Sequence, residues 1–509
     1  MRTINLKLKD KDLFCVLVFF AMAIAIYSKS YFNFHGNLSA DSMRYLEISQ
    51  NLVDGNGFLY TSDHQSATAM PSARVFPATW PLAYPICIFL ISKITGVTVF
   101  WSSKLLGILM IGLIIVLFRI LFQEKAYVYS LIFLFSSFLE IFSYTWSEGL
   151  FIFFLVLFSM SIYRLLLYQN NLLLISFSLL SSSLIMFLTR YIGAFSLIIM
   201  GLLGIYLLLI KKDLLRSSLL ISVTIISFII MIAYLYNNYL LTGLITGRQR
   251  FIEPEPIIHY LFTTLWVLTT EINILSINTG VKGPILLLLQ FIIIGFIVFK
   301  NKKIIFDKNN YINNKNELLC PLVFSLIGLF YLFVIISIRF LGFRIDALGF
   351  RLLAPGTLLL FIALIKYIDI RSKKIIFHIF IKALFILTLC SWIICVPMKI
   401  IKNYNNTNYL DTVNRINTKY ANVTNNSIVV FGERDLKYLR PNIEIRNPIS
   451  SINPDERESW SNFIKRINIL NKNIYLVIPP ENFSLNNFDE SIRKIINENK
   501  YAKLSLVKM

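Results

Sequence analysis

The stretch SADSMRYLEISQNLVDGNGF at residues 39–58 sets a carboxylate, a guanidinium and a phenol close together: Asp41, Arg44 and Tyr45. At helical spacing Asp41 and Tyr45 lie one turn apart with Arg44 beside them, and Ile48 and Leu52 continue the same side. A carboxylate within hydrogen-bond reach of an attacking hydroxyl can take its proton. A guanidinium is planar, always charged and able to bind two oxygens of a phosphate. The same residues also have a plainer use. Ser39 or Asp41 can cap a helix that Gly55 and Gly57 stop, with Arg44 as a local ion pair. Spacing alone leaves both uses of Asp41 open.

The rest of the chain says where such a group sits. Of 509 residues 56% are hydrophobic and 43 are Phe, with a mean hydropathy of +0.67. Soluble domains are roughly 45–50% apolar, so the excess points to a membrane protein. Apolar runs near 13–29, 97–122, 126–144, 148–168, 171–189, 191–210, 216–237, 284–300, 318–339, 352–368 and 375–398 predict about eleven transmembrane helices. PLAYPICIFLISKI (81–94) is too short to span and reads as interfacial or re-entrant.

The net charge of +21 could suggest a nucleic-acid binder. The basic residues are instead scattered between spans, as positive cytoplasmic loops require, so no nucleic-acid partner is expected. Lys211, Lys212 and Arg216, then Lys300 to Lys315, then Lys366 to Lys374, mark inner connections, together with Arg2 to Lys11. This predicts a multi-pass protein of the cytoplasmic (inner) membrane with a cytoplasmic N-terminus. Residues 30–96, 238–283 and 399–509 then face outward. The five cysteines lie in apolar stretches without disulfide or zinc spacing. No cleavage site follows the first run, which is read as an uncleaved span.

The domain expectation is a transmembrane module over 1–398, with its active site on the first outer loop 30–96, and a soluble extracytoplasmic unit over 399–509. That tail carries strand-like SIVVFGE (427–433) and NIYLVIPP (473–480), with helix-like stretches at 456–470 and 488–499, so a small α/β fold is predicted.

ADSMRYLEISQNLVDGNGF, followed by FPATWPLAYPICIFLISKITG (76–96), resembles the first periplasmic loop of GT-C-fold glycosyltransferases. More narrowly it is similar to glycosyltransferase family 39, the protein O-mannosyltransferase and lipid A aminoarabinose transferase group. Asp41, Arg44, Tyr45, Pro81 and Tyr84 stand at the matching positions. SEGLFIFFLVL (147–157), LTRYIG (188–193), NYLLTGLITGRQR (238–250) and FRLLAPGTLLL (350–360) extend the resemblance over most of 10–370. Three positions depart from it: Ser42 replaces a second acid, Trp80 a Lys, and Gly149 the usual Pro.

The resemblance implies a transferase that moves a monosaccharide (hexosyl or pentosyl) from a polyprenyl-phosphate donor to a lipid, glycan or protein acceptor at the outer face, with inversion. Asp41 would be the general base. Glu148, heading a span, would be a second catalytic acid, or else complement the helix dipole. Arg44, Arg190, Arg248 and Arg351 would hold the donor phosphate, and Tyr45 and Tyr84 would position substrate. Arg190, between two apolar runs, is a functional candidate by its depth alone. Arg250, Arg339 and Arg344 are further headgroup candidates, with Asp346 as a pairing partner. Relatives with and without a divalent metal leave that cofactor open. His35, His64 and Asp63 share Asp41's loop without recognisable ligand spacing, so no metal residue is assigned. The rival readings are a polysaccharide polymerase or ligase, and a transporter or flippase of lipid-linked sugars. A transporter predicts broken helices near the midplane in two repeated halves, and no such symmetry is visible.

Overall fold

The computed structural model describes residues 10–33, 38–61, 74–168, 171–247, 256–272, 282–302, 315–341, 349–401, 409–424, 427–430, 432, 436–440, 443–446, 459–468, 473–477, 489–501 and 506–508. The chain opens with α1 (Asp10–Phe32), the amphipathic α2 (Ala40–Val53) and the short α3 (Ala83–Thr95). A two-stranded antiparallel pair, β1 (Tyr60–Thr61) and β2 (Arg74–Val75), lies between α2 and α3. Then come α4 (Val99–Phe122), α5 (Ala126–Ser130), α6 (Ser136–Ser143), α7 (Glu148–Leu167), α8 (Leu172–Thr189), α9 (Phe195–Leu209) and α10 (Leu214–Thr242). α11 (Ile257–Ile272), α12 (Lys282–Lys300), α13 (Leu319–Phe340), α14 (Phe350–Arg371) and α15 (Lys374–Ile401) complete the bundle.

Among the described residues nine helices are long and apolar enough to cross a membrane, against about eleven expected. The run over 126–144 accounts for one difference. It is broken into α5, a 3-10 turn (Leu131–Leu134), an extended Phe135 and α6. Its Val128, Tyr129, Ile132, Phe133, Phe138, Leu139 and Phe142 are all buried. Irregular backbone at membrane depth is tolerated where protein, not lipid, surrounds it. The 284–300 run forms α12 itself, a 19-residue helix (Lys282–Lys300) that stands in addition to those nine. The connection read over 238–283 also holds α11.

Alternation of the helices defines two ends of the bundle. At one end Asp12 of α1 pairs with Arg119 of α4 at 2.8 Å, Lys11 with Glu124 at 3.1 Å, and Lys125 with Asp369 of α14. At the opposite end lie the start of α7, the α8–α9 junction, the start of α14, and α2. α13 and α14 pack face to face across two glycines. A Cβ on Gly328 would fall 2.8 Å from the Gly356 carbonyl oxygen, so only glycine allows this approach. Such small-residue seams bring transmembrane helices together where lipid offers no hydrophobic drive.

α2 begins at Ser39, whose Oγ accepts a hydrogen bond from the Ser42 amide at 3.2 Å. The cap is therefore Ser39, which leaves Asp41 for other contacts. Replacing Ser39 by Ala is expected to destabilise the protein by about 1 kcal/mol, read as a lower thermal midpoint in detergent. A midpoint equal to wild type would show that the cap contributes nothing.

The predicted C-terminal α/β unit is present. β3 (Ser427–Val430) runs parallel to both β4 (Ile443–Arg446) and β5 (Ile474–Val477), and β6 (Leu506–Lys508) pairs antiparallel with β5. Ser427 faces Ile443 and Ile428 faces Ile474 in register. β3 and β5 are buried along their whole length, as strands covered on both faces are. Helices Tyr409–Lys419, Trp460–Asn468 and Glu490–Tyr501 accompany the sheet. Tyr409 stacks on Phe100 of α4 with ring centroids 5.3 Å apart, which ties the unit to the bundle.

Candidate active site

Four charged side chains from four places in the chain meet at one end of the bundle. Asp41 lies in the first turn of α2, Glu148 in the first turn of α7, Arg190 at the end of α8, and Arg351 in the first turn of α14. Arg351 joins the two acids. Its Nη2 donates to Asp41 Oδ2 at 2.9 Å, and its Nε donates to Glu148 Oε1. Arg190 Nη1 donates to the same Glu148 oxygen. Two carboxylates therefore face two guanidiniums, which is how buried charge becomes tolerable.

The two acids differ in access. Asp41 is 27% exposed, whereas the Glu148 side chain is 0% exposed. Glu148 Oε2 is buried without a hydrogen-bond partner among the described residues, so the two guanidiniums on Oε1 are what hold this carboxylate. Asp41 is the acid a ligand can reach, and Glu148 is an anchor beneath it. Trp80 Nε1–H donates to Asp41 Oδ1 at 3.0 Å, so both Asp41 oxygens are oriented. Burial by itself would raise the Asp41 pKa. The charge of Arg351, the hydrogen bonds from Trp80 and Arg351, and the charge of Arg190 outweigh it and hold the carboxyl below its ordinary value.

Aromatic rings shape the rest. Arg351 lies over the Trp146 ring at 4.7 Å, a cation–π contact. Tyr45 is 4% exposed, meets Tyr84 edge-on at 5.0 Å and donates to Ser147 Oγ at 3.3 Å. Burial, then the nearby Asp41 charge, raises the Tyr45 pKa, so this phenol stays protonated. Tyr84 is buried too and braces Tyr45. Arg44 turns from Asp41 toward Glu47, donating to its Oε2 at 3.1 Å, and lies over Tyr60 and Trp80 at 5.2 and 5.9 Å. Arg248, Arg250, Arg344, Asp346, His35, Asp63 and His64 lie outside the described residues.

Arg190 depends on a tight reversal. It is extended (φ −153°), and Tyr191–Ala194 form a 3-10 turn before α9. A Cβ on Gly193 would lie 2.4 Å from the Met186 carbonyl carbon and 2.5 Å from the Phe187 nitrogen, both backbone atoms. Gly193→Ala is therefore expected to cost about 1–3 kcal/mol through overpacking and to move Arg190. Thermal unfolding in detergent checks it, and an unchanged midpoint would contradict the crowding. Tyr191 in turn donates to the Ala78 carbonyl and accepts from Asn238 Nδ2 at 2.9 Å, pinning the first loop to the top of α10.

Trp80, Trp146, Ser147, Lys29 and Lys104 belong to this neighbourhood and carry no role in the sequence reading. The two lysines had a signal, because an ionisable residue inside an apolar run is a functional candidate by position. The tryptophans had none, since a Trp near a membrane end is ordinary.

The carboxylates do not suit a divalent ion. Asp41 already accepts from Arg351 and Trp80, and Glu148 Oε1 accepts from two guanidiniums, so a metal at either would meet the charge of Arg351 at contact distance. No group of three or more His, Cys, Asp or Glu stands together among the described residues.

The fold and the cluster define a multi-pass membrane protein with an ionised site at one end of its bundle. No family model and no curated protein matches the sequence. In overall trace it is similar to the archaeal oligosaccharyltransferase AglB from Archaeoglobus fulgidus, in complex with an inhibitory peptide and a dolichol-phosphate. The TM-score is 0.46 at 11% identity, over 91% of this chain and 69% of that one. It is also similar to ArnT from Cupriavidus metallidurans bound to undecaprenyl phosphate, with a TM-score of 0.44 at 10% identity, over 91% and 93% of the two chains. Both have the GT-C architecture that the first-loop motif resembles.

Proposed function

We propose that the protein is a glycosyltransferase that moves a monosaccharide from a polyprenyl-phosphate donor to an acceptor at the outer face of the cytoplasmic membrane. The observation that carries this reading is the pairing of an accessible, ionised Asp41 with Arg351, beside the Arg190 that Glu148 holds, at the end of an apolar bundle. A donor whose tail lies in the bilayer presents its sugar–phosphate bond at that depth. The guanidiniums hold the phosphate as the bond from the anomeric carbon breaks and its electron pair stays on the phosphate oxygen. The acceptor hydroxyl attacks the anomeric carbon from the other side and gives its proton to Asp41. The sugar carries oxocarbenium-like charge between these events, as in other glycosyl transfers, and its configuration inverts.

The resemblance of residues 39–96 to family 39 supports the choice of donor. Arg44 and Arg248 remain donor-phosphate candidates beside Arg190 and Arg351. Tyr45 and Tyr84 are proposed to position substrate by shaping the wall behind Asp41, with the 399–509 unit covering the outer side. The test uses membranes holding the full chain and polyprenyl-phosphate sugars radiolabelled in the sugar. Label should pass into a lipid, protein or glycan fraction with release of polyprenyl phosphate. Label that crosses the bilayer with the sugar–phosphate bond intact would overturn the reading in favour of a transporter.

A further inference from the structure

Two lysines take no part in the chemistry above. Lys29 of α1 and Lys104 of α4 are 2% and 1% exposed, in an apolar bundle where a buried ammonium is costly. Both reach the same short segment, the end of α6 and the turn into α7. Lys29 Nζ donates to Glu140 Oε2 at 2.5 Å and to Ser143 Oγ at 2.8 Å, and lies 4.7 Å over the Tyr144 ring. Lys104 Nζ donates to the Ser143 carbonyl at 2.7 Å and to Thr145 Oγ1 at 3.0 Å. Ser143 ends α6, where the carbonyl end of a helix favours a cation.

From there each residue is tied to the site in turn. Tyr144 stacks on Trp146 with centroids 4.0 Å apart. Trp146 carries Arg351 on its ring and donates through Nε1 to Ser39 Oγ, the cap of α2, at 2.9 Å. Ser147 accepts from Tyr45, and Glu148 holds Arg190 and Arg351. Residues 143–148 thus connect two buried lysine side chains to the cap of Asp41's helix and to the guanidinium that Asp41 accepts from.

We propose that Lys29 and Lys104 are positioning residues: they fix the 143–147 turn and, through Trp146 and Glu148, set the direction of Arg351 toward Asp41. For its kinetic readout the proposal rests on the transferase reading; a second readout does not. Lys104→Met removes the Nζ donor and keeps the stem. In the full chain in detergent, amide exchange over 143–148 should quicken by about tenfold or more, with exchange over 119–125 at the far end unchanged. Transfer per folded molecule should fall about 10- to 100-fold, the scale of a small misplacement of a catalytic group, with donor KM nearly constant. In a Trp146→Ala background the same change should cost less than about twofold, because the path through the ring is already cut.

Unchanged exchange over 143–148, equal quickening at both ends, or full additivity with Trp146→Ala would each overturn the proposal. If the wild type transfers no sugar, the transferase reading fails and the exchange pattern alone decides this one. Should Lys104→Met not fold, Thr145→Val takes its place with the same expected outcomes, because it removes one acceptor of Lys104 and leaves the lysine itself in place.

Discussion

Asp41→Asn is expected to lower the rate of sugar transfer by about 10²–10⁴-fold, the usual contribution of a positioned general base. The amide keeps the size of the carboxylate but cannot take a proton. Its NH2 must also face one of two donors, Trp80 Nε1–H or Arg351 Nη2, where an oxygen now accepts. One of those groups loses its acceptor, so a fall in stability of about 1–3 kcal/mol accompanies the loss of rate. Rates must therefore be taken per folded molecule, in single-turnover measurements with enzyme in excess over labelled donor. Equal transfer by the variant and the wild type would remove Asp41 from the mechanism.

The direction of the Asp41 shift adds a pH signature. Arg351 and the Trp80 N–H outweigh burial and keep the folded-state pKa below the unfolded value, which is about 3.9. A depressed carboxylate contributes stability that is fully present above the unfolded pKa and is lost as pH falls through the folded one. The same group is the base, so transfer should hold steady down to mildly acidic pH and fail only below the ordinary Asp range. An acid limb near pH 6 would assign the proton transfer to another residue.

Much of this site was legible from residue type and place. Asp41, Glu148, Arg190 and Arg351 are charges at the edges of apolar runs, where only pairing or function makes them tolerable, and the structure brings all four together. What spacing could not decide was which residue caps α2. Ser39 and Asp41 are equally good cap types, and the choice fell to Ser39 because tertiary partners take both Asp41 oxygens. Arg44 shows the converse. One turn of helix offers it Glu47 as readily as Asp41, and the aromatic pair Tyr60 and Trp80 fixes it on the Glu47 side. The broken crossing over 126–143 was hidden because an apolar run has the same composition whether it forms one helix or several turns buried in protein.

Arg351 carries the second large effect, since among the described residues it alone is bonded to both acids. Among the described residues, Arg351→Met leaves Asp41 Oδ2 without its donor and Glu148 with Arg190 alone, while Glu148 is already 0% exposed and its Oε2 has no partner there. Removing one member of a buried ion pair typically costs about 3–5 kcal/mol, and loss of a donor to the developing phosphate charge costs about 10²–10³-fold in rate. Arg351→Lys should restore little, because a single ammonium cannot present the separate Nε and Nη2 directions that reach the two carboxylates. A fall in both thermal midpoint and transfer therefore does not by itself separate the two roles. Glu148→Gln added to Arg351→Met does, because it removes the stranded charge below without returning any cation to Asp41. The double variant should regain much of the lost midpoint while transfer stays as low as in Arg351→Met. Wild-type transfer in either variant would mean that the cluster only holds the helices together and that the phosphate is gripped elsewhere.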